Sequence, residues 1–150
     1  MPTLNPTTID AARSKLAAAR NAQQALVLVG PQGCGKSTLA EMLAAEYGTF
    51  VKAECWQITK KREVSALLQS EPRTVIVEDF NPLDPTVAID GRLHFLKELI
   101  TSHTIAIQAK GLPGKTVRTP NYIFCTGDAV PFSQETSNRR FSVVRMGAAS

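Results

Sequence analysis

Short apolar runs separated by stretches of helical spacing dominate the pattern of this chain. Ala25-Leu-Val-Leu-Val29, Thr74-Val-Ile-Val77 and Tyr122-Ile-Phe-Cys125 are too short for surface helices and read as strands buried on both faces, and Phe141-Ser-Val-Val144 closes the series. Thr7-x-x-Asp10 resembles a capping box, and Ile9, Ala12, Leu16 and Ala19 follow at helical spacing, predicting a first helix over about residues 8–22. A second helix is predicted from near Lys36 to Tyr47, with Leu39 and Leu43 inward and Gly48 as its stop, followed by a short strand from Thr49 to Lys52. Ile58, Val64, Leu67 and Leu68 in a charged setting predict an amphipathic helix over 58–69, and Leu93, Leu96, Leu99 and Ile100 another from Asp90 to Thr101. The segment Asn81-Pro-Leu-Asp-Pro85 reads as a loop. Ile105 and Ile107 alternate with polar residues, Gly111-Leu-Pro-Gly114 is a turn and Lys115 to Arg118 is extended, which predicts a β-hairpin. Buried strands alternating with helices give an α/β fold: a central, mostly parallel sheet flanked by helices, with the hairpin preceding a late strand. With no repeat, low-complexity tract or linker, residues 1–150 read as a single domain.

Composition narrows the classes. Apolar residues make up 43% and charged residues 20%, with nine Gly and nine Pro, which fits an ordinary globular domain and neither a disordered nor a collagenous chain. The longest strongly apolar stretch, Ala25–Val29, is far short of a membrane span, and the amino-terminal residues lack a signal peptide's apolar region, so neither export nor membrane insertion is expected. Cys34, Cys55 and Cys125 form no C-x-x-C pair, which removes a disulfide framework and a zinc site and points to the reducing cytoplasm. A net charge of +4 does not by itself identify a nucleic-acid binder. Its distribution says more: residues 91–146 carry eight basic and three acidic side chains.

The chemistry begins at Gly30-Pro31-Gln32-Gly33-Cys34-Gly35-Lys36-Ser37, which fits G-x-x-x-x-G-K-[ST] between a predicted strand and a predicted helix. In such a loop glycines allow the backbone amides and the helix N-terminus to face phosphate. Lys36 would reach the β- and γ-phosphates of ATP, the Ser37 hydroxyl would ligate Mg²⁺, and Thr38 completes the candidate nucleotide-binding set. The bare pattern arises by chance in on the order of one per cent of chains this long. Cys34 is read as a filler position, with a redox-sensitive role as the alternative. Val75-Ile-Val-Glu78-Asp79 supplies two acids at the end of a strand, one to hold the metal's water shell and one to orient or deprotonate an attacking water. Glu78 suits the first role and Asp79 the second, although the two could be exchanged.

These residues together resemble the superfamily 3 helicases of small viruses, phages and plasmids and the related virulence-associated E type, within the AAA+ class. The resemblance covers roughly residues 26–146 and rests on GPQGCGKS, on VIVED, on IAIQAKGLPGKTVRTPNYIFCT from Ile105 to Thr126, and on Asn138-Arg139-Arg140-Phe141. It implies an AAA+-like P-loop NTPase that hydrolyses ATP with Mg²⁺, assembles as a homo-oligomeric ring, expected to be a hexamer, and moves on or remodels single-stranded nucleic acid, DNA rather than RNA. Lys110, Lys115 and Arg118 of the hairpin are then the candidate nucleic-acid contacts, and their charge agrees with that role, a solvated surface being the plainer alternative. Arg139 or Arg140, with Arg140 preferred, would act as a finger on the γ-phosphate of an adjacent subunit. The family's sensor strand ends in Thr or Ser followed by Asn; here Cys125-Thr126-Gly127-Asp128 has no Asn, and sensor duty falls on Thr126 or Asp128. With few residues after the last strand, the chain reads as a motor core without a separate lid or DNA-binding domain.

Two other classes fit the same loop: a small-molecule or nucleotide kinase, and a non-hydrolysing, NTP-dependent assembly module. The late Arg-Arg-Phe and the basic hairpin favour the motor. His94 and His103 lack a partner acid and nucleophile pattern. Trp56 is read as core packing with base stacking as the alternative, and Lys60-Lys61-Arg62 as a solvated helix face.

Overall fold

The computed structural model describes residues 6–31, 34–54, 56–78, 94–108, 111, 113–127 and 141–146. In chain order these form α1 (Pro6–Asn21), β1 (Ala25–Val29), α2 (Lys36–Tyr47), β2 (Phe50–Glu54), a 3₁₀ turn (Gln57–Thr59), α3 (Lys61–Leu67), β3 (Thr74–Glu78), α4 (His94–Thr101), β4 (Thr104–Ile107), β5 (Lys115–Arg118), β6 (Tyr122–Gly127) and β7 (Phe141–Arg145). Five strands make one sheet in the order β2-β3-β6-β1-β7, parallel at every pairing, and β4 pairs with β5 in a separate antiparallel hairpin. The α/β architecture with a parallel sheet flanked by helices is therefore observed. Parallel neighbours need crossover connections, and the intervening helices supply them.

Alternation along the strands divides the core. Leu26, Leu28, Ile76 and Phe124 face α1 and α2, where Leu16, Leu39 and Leu43 complete one cluster. Val27, Val75, Val77 and Cys125 face the other way, against Val64 of α3, Leu96 and Leu99 of α4, and Ile105 and Val117 of the hairpin. All of β1 is buried, as expected of a strand covered on both faces. Each fully buried large side chain here contributes about 1.5–3 kcal/mol relative to exposure.

Local differences from the sequence reading have physical causes. β2 runs on to Glu54 because its whole length pairs with β3, from Phe50↔Thr74 to Glu54↔Glu78; as a half-exposed edge strand it lacks the apolar signature. The helix expected over 58–69 is broken at Lys60, which is extended (φ −121°, ψ 126°). Gln57 Oε1 accepts from the Glu54 amide at 2.8 Å, tying the 3₁₀ turn to the end of β2. The loop expected at 81–85 and the start of the helix from Asp90 lie outside the described residues. No helix among the described residues is long and apolar enough to cross a membrane.

Polar contacts hold α1 in place at its middle and near its carboxyl end. Arg20 donates to Tyr122 Oη at 3.2 Å and lies 5.2 Å from that ring, which stacks on Tyr47 at 4.2 Å. Arg13 forks onto Glu46 of α2, with Nη2 2.7 Å from Oε1 and Nε 3.3 Å from Oε2, and Nη1 also reaches Asp10 at 3.0 Å. The bond from Arg13 holds the Glu46 carboxyl below its ordinary pKa of 4.5. A depressed carboxylate stabilises the fold above its unfolded-state pKa, and that contribution disappears as the pH falls through the folded-state value. Both side chains are partly exposed, so the effect is small. Glu46→Gln should lower the melting temperature slightly at pH 7, and its difference from the parent should vanish on acidification below pH 4.5 in a thermal-melt series.

Candidate nucleotide-binding loop

The octapeptide at 30–37 lies between the carboxyl end of β1 and the start of α2. Gly30 leaves the sheet in a close fit: its amide donates to Gly127 O at 3.2 Å, and the Met146 amide donates to Val29 O at 2.6 Å just before it. A Cβ at Gly30 would lie 2.6 Å from Met146 O and 2.8 Å from Cys34 Sγ, so only glycine fits. Gly35, the residue before α2, has φ 95°, ψ 16°, a left-handed conformation that side chains disfavour. The first intrahelical bond runs from Leu39 N to Gly35 O at 2.9 Å, so α2 begins directly at the loop and its N-terminus points into it. This is the arrangement that makes a helix N-terminus attract anions.

Lys36 Nζ donates to Gly30 O and, at 3.3 Å, to Pro31 O, so its ammonium lies over the loop. Cys34 is buried and free, its amide bonded to Pro31 O at 3.2 Å, consistent with a packing role. Pro31 is exposed and Ser37 and Thr38 are half-buried; Gln32 and Gly33 lie outside the described residues.

Sheet register brings two further candidates to the same edge. Leu28 pairs with Thr126 and Val29 with Gly127, and Val77 pairs with Cys125, so Glu78 stands level with Thr126 one residue beyond that pair. Thr126 is buried at the end of β6, between the strands that carry Glu78 and Gly30. Asp79, Asp128, Arg139 and Arg140 lie outside the described residues.

The sequence reading missed Lys52. Its ammonium is 3.2 Å from Glu78 Oε1 and 3.2 Å from Glu41 Oε1, bridging β3 and α2 from the edge strand. These contacts, Glu78 first, raise the Lys52 pKa. Nothing in the local pattern Phe-Val-Lys-Ala-Glu foretells the pairing; it requires the β2–β3 register.

Of the hairpin candidates, Lys115 and Arg118 are not gathered into one patch. Lys115 pairs with Ile107 next to the turn, whereas Arg118 pairs with Thr104 at the opposite end, and their odd and even positions put them on opposite faces of β5. Lys115 lines a cavity of about 280 Å³ with Lys61, whose ammonium donates to Ala106 O; Lys110 lies outside the described residues. Lys61 therefore braces the hairpin and is not a merely solvated side chain. Trp56 also departs from the reading: it is 50% exposed, with Lys60 Nζ 5.5 Å from its ring, and does not pack in the core.

Residues 28–140 match a family model described as "Family of unknown function (DUF5906)". No curated protein matches the chain. Among solved structures, the apo C-terminal region (305–718) of NrS-1 is similar with a TM-score of 0.68 at 19% identity, over 97% of this chain and 39% of that one. The A form of the NrS-1 C-terminal region gives a TM-score of 0.66 at 19% identity, over 99% of this chain and 40% of that one. The chain thus spans about two fifths of these structures, and the likeness is one of fold.

Because the Met146 carbonyl is backbone and cannot swing aside, Gly30→Ala should destabilise the protein by about 1–3 kcal/mol in urea unfolding. Adding Cys34→Ala should recover only part of the loss, since it relieves the sulfur contact and leaves the carbonyl contact.

Proposed function

We propose that this chain, which belongs to the DUF5906 family, is a P-loop nucleoside triphosphatase of AAA+-like type that uses ATP and Mg²⁺ to move on or remodel single-stranded nucleic acid in a replication-related role. The observation that carries the reading is the loop itself: G-x-x-x-x-G-K-S joining the end of a fully buried strand to the N-terminus of a 12-residue helix, with glycine required sterically at Gly30 and conformationally at Gly35. Nucleic acid, the ring and replication rest on the resemblance to superfamily 3 helicases.

The residues present suit a magnesium nucleotide. Mg²⁺ is held by one or two protein ligands, waters and substrate phosphates rather than by a protein cage. The Ser37 hydroxyl and the Glu78 carboxylate fit that sparse set, and the described residues contain no group of three or more metal-binding side chains. Bound there, the ion would neutralise charge developing on the phosphates. Lys36 would exchange the Gly30 and Pro31 carbonyls for phosphate oxygens, so the ammonium is already within the loop before it meets its ligand. Thr126 would contribute its hydroxyl beside the γ-phosphate, Asp79 would orient water, and Arg140 of a neighbouring subunit would complete the site.

A second reading, an NTP-binding assembly module without turnover, draws support from the Lys52–Glu78 pair, since Lys52 competes for the carboxylate that would hold the metal's water shell. Calorimetry and phosphate release decide between them. Lys36→Ala should abolish or steeply weaken Mg-ATP binding without unfolding the protein; unchanged affinity refutes the loop assignment. Glu78→Gln should retain binding and lose turnover, whereas a parent protein that binds ATP and releases no phosphate establishes the module.

The ring makes a separate expectation. Specific ATPase activity should rise with protein concentration, and a mixture of Arg140→Ala with Lys36→Ala should regain activity that neither variant shows alone. A monomer by light scattering, with activity per molecule independent of concentration, would exclude a finger acting between subunits.

A further inference from the structure

A cavity of about 520 Å³ opens at the amino ends of β1 and β6, the end of the sheet opposite the loop at 30–37. Its basic groups come from three separate elements: Arg20 near the end of α1, His103 after α4 and Arg118 at the base of the hairpin. Among the described residues, the lining contains no carboxylate. Glu71 approaches only from outside the lining, its Oε1 accepting from the Arg118 backbone amide at 3.3 Å. Beneath the basic groups lie Leu99, Ile100 and Ile123, and the amides Gln23, Gln24 and Asn121 also border the space.

The walls are fixed by contacts independent of any ligand. Arg20 is held by the Tyr122 hydroxyl and ring. The Thr119 amide donates to His103 O at 3.0 Å, and Thr119 Oγ1 donates to Ser102 O, tying the end of β5 to the start of β4. Gln23, in the left-handed region at φ 56°, reaches Thr101 O at 3.4 Å through Nε2 and links the end of α1 to the end of α4. The cavity is therefore preformed and falls within the usual size range of small-molecule sites.

We propose that this cavity binds a nucleoside phosphate, either a free mononucleotide or one nucleotide of a single strand, as a second site separate from the candidate ATP loop. Two guanidiniums and an imidazole on three separate elements, with no carboxylate among the described lining residues, favour phosphate. An inorganic anion alone would leave the apolar residues Leu99, Ile100 and Ile123 uncovered, whereas a nucleoside presents a flat apolar ring system to them. The inference does not depend on ATP binding at Lys36, because no residue of the cavity belongs to that loop.

The test is a titration of the ¹⁵N-labelled full chain with dTMP, with a ten-residue oligo-dT and with inorganic phosphate, following the amides of Gln23, Thr119 and Asn121. The expected result is saturable shifts of these amides with dTMP. Its dissociation constant should rise at least tenfold in Arg20→Gln and in His103→Glu and remain unchanged in Lys36→Ala. The second variant guards against loss of the Arg20–Tyr122 contact, and thermal melts establish that each variant is folded. Shifts with oligo-dT but not with dTMP, abolished by the same variants, support the site and identify the strand as its source. Equal affinity for inorganic phosphate overturns the nucleoside assignment. Absence of shifts at these amides, insensitivity to both variants, or loss of dTMP binding in Lys36→Ala overturns the second site.

Discussion

Gly30 leaves β1 so close to the segment after β7 that a Cβ would stand 2.6 Å from the Met146 carbonyl oxygen, and the rest of the site depends on that approach. β1 is an interior strand, paired with β6 on one side and β7 on the other, and the hydrogen bonds from Gly30 to Gly127 and from Met146 to Val29 draw both neighbours together at its exit. The loop is thereby anchored to three strands at once. Its direction, and so the direction of the N-terminus of α2, follows from the sheet rather than from the loop's own preferences.

Among the described residues, the two lysines at this edge already hold partners. Lys36 lies on loop carbonyls, and Lys52 bridges Glu41 and Glu78. A phosphate ligand exchanges bonds already made, so the net free energy of its contacts is the difference between charge-assisted bonds to phosphate and those to neutral carbonyls. The Lys52 bridge acts on Glu78 in the same way: a cation entering there meets a carboxylate already shared with an ammonium, and the raised Lys52 pKa keeps that ammonium charged throughout the neutral range. In the proposed reading, affinity for nucleotide and affinity for metal would each be set against an internal competitor.

Legibility in the sequence follows burial. β1, β3 and β6 are covered on both faces, the side chains along their middles are apolar, and their runs stand out from composition alone. α2 was legible to the residue because Gly48 ends it and the loop motif begins it. β2 was not, since an edge strand pairing on one side carries polar residues such as Lys52 and Glu54 that resemble a loop. The candidate loop could be read because its chemistry is contiguous in sequence, and Glu78 because it ends an apolar strand. Lys52 could not, because its role arises only when β2 and β3 align. Trp56 was misread for a related reason: an aromatic beside apolar neighbours suggests a core, but the turn that follows β2 carries it out to solvent beside Lys60.

The two ends of the parallel sheet differ in what they can recognise. All five strands point the same way, so their carboxyl ends gather the loop, Glu78 and Thr126, and their amino ends gather Arg20, Asn121 and the base of the hairpin. A strand of five residues spans about 17 Å, and the basic groups of one end are therefore separated from the loop at the other by more than a Debye length at physiological salt. Any coupling between the ends would have to pass through packed elements. The hairpin is the element so placed, because Arg118 and Thr104 form its base at the amino-end cavity, while Ile107 and Lys115 lie against Lys61 of α3, the helix that follows β2 and its carboxyl-end turn. Ser65 on α3 accepts from the Gln108 amide at 3.2 Å, so a shift of α3 relative to the sheet would carry the hairpin with it and move Arg118 at the far cavity.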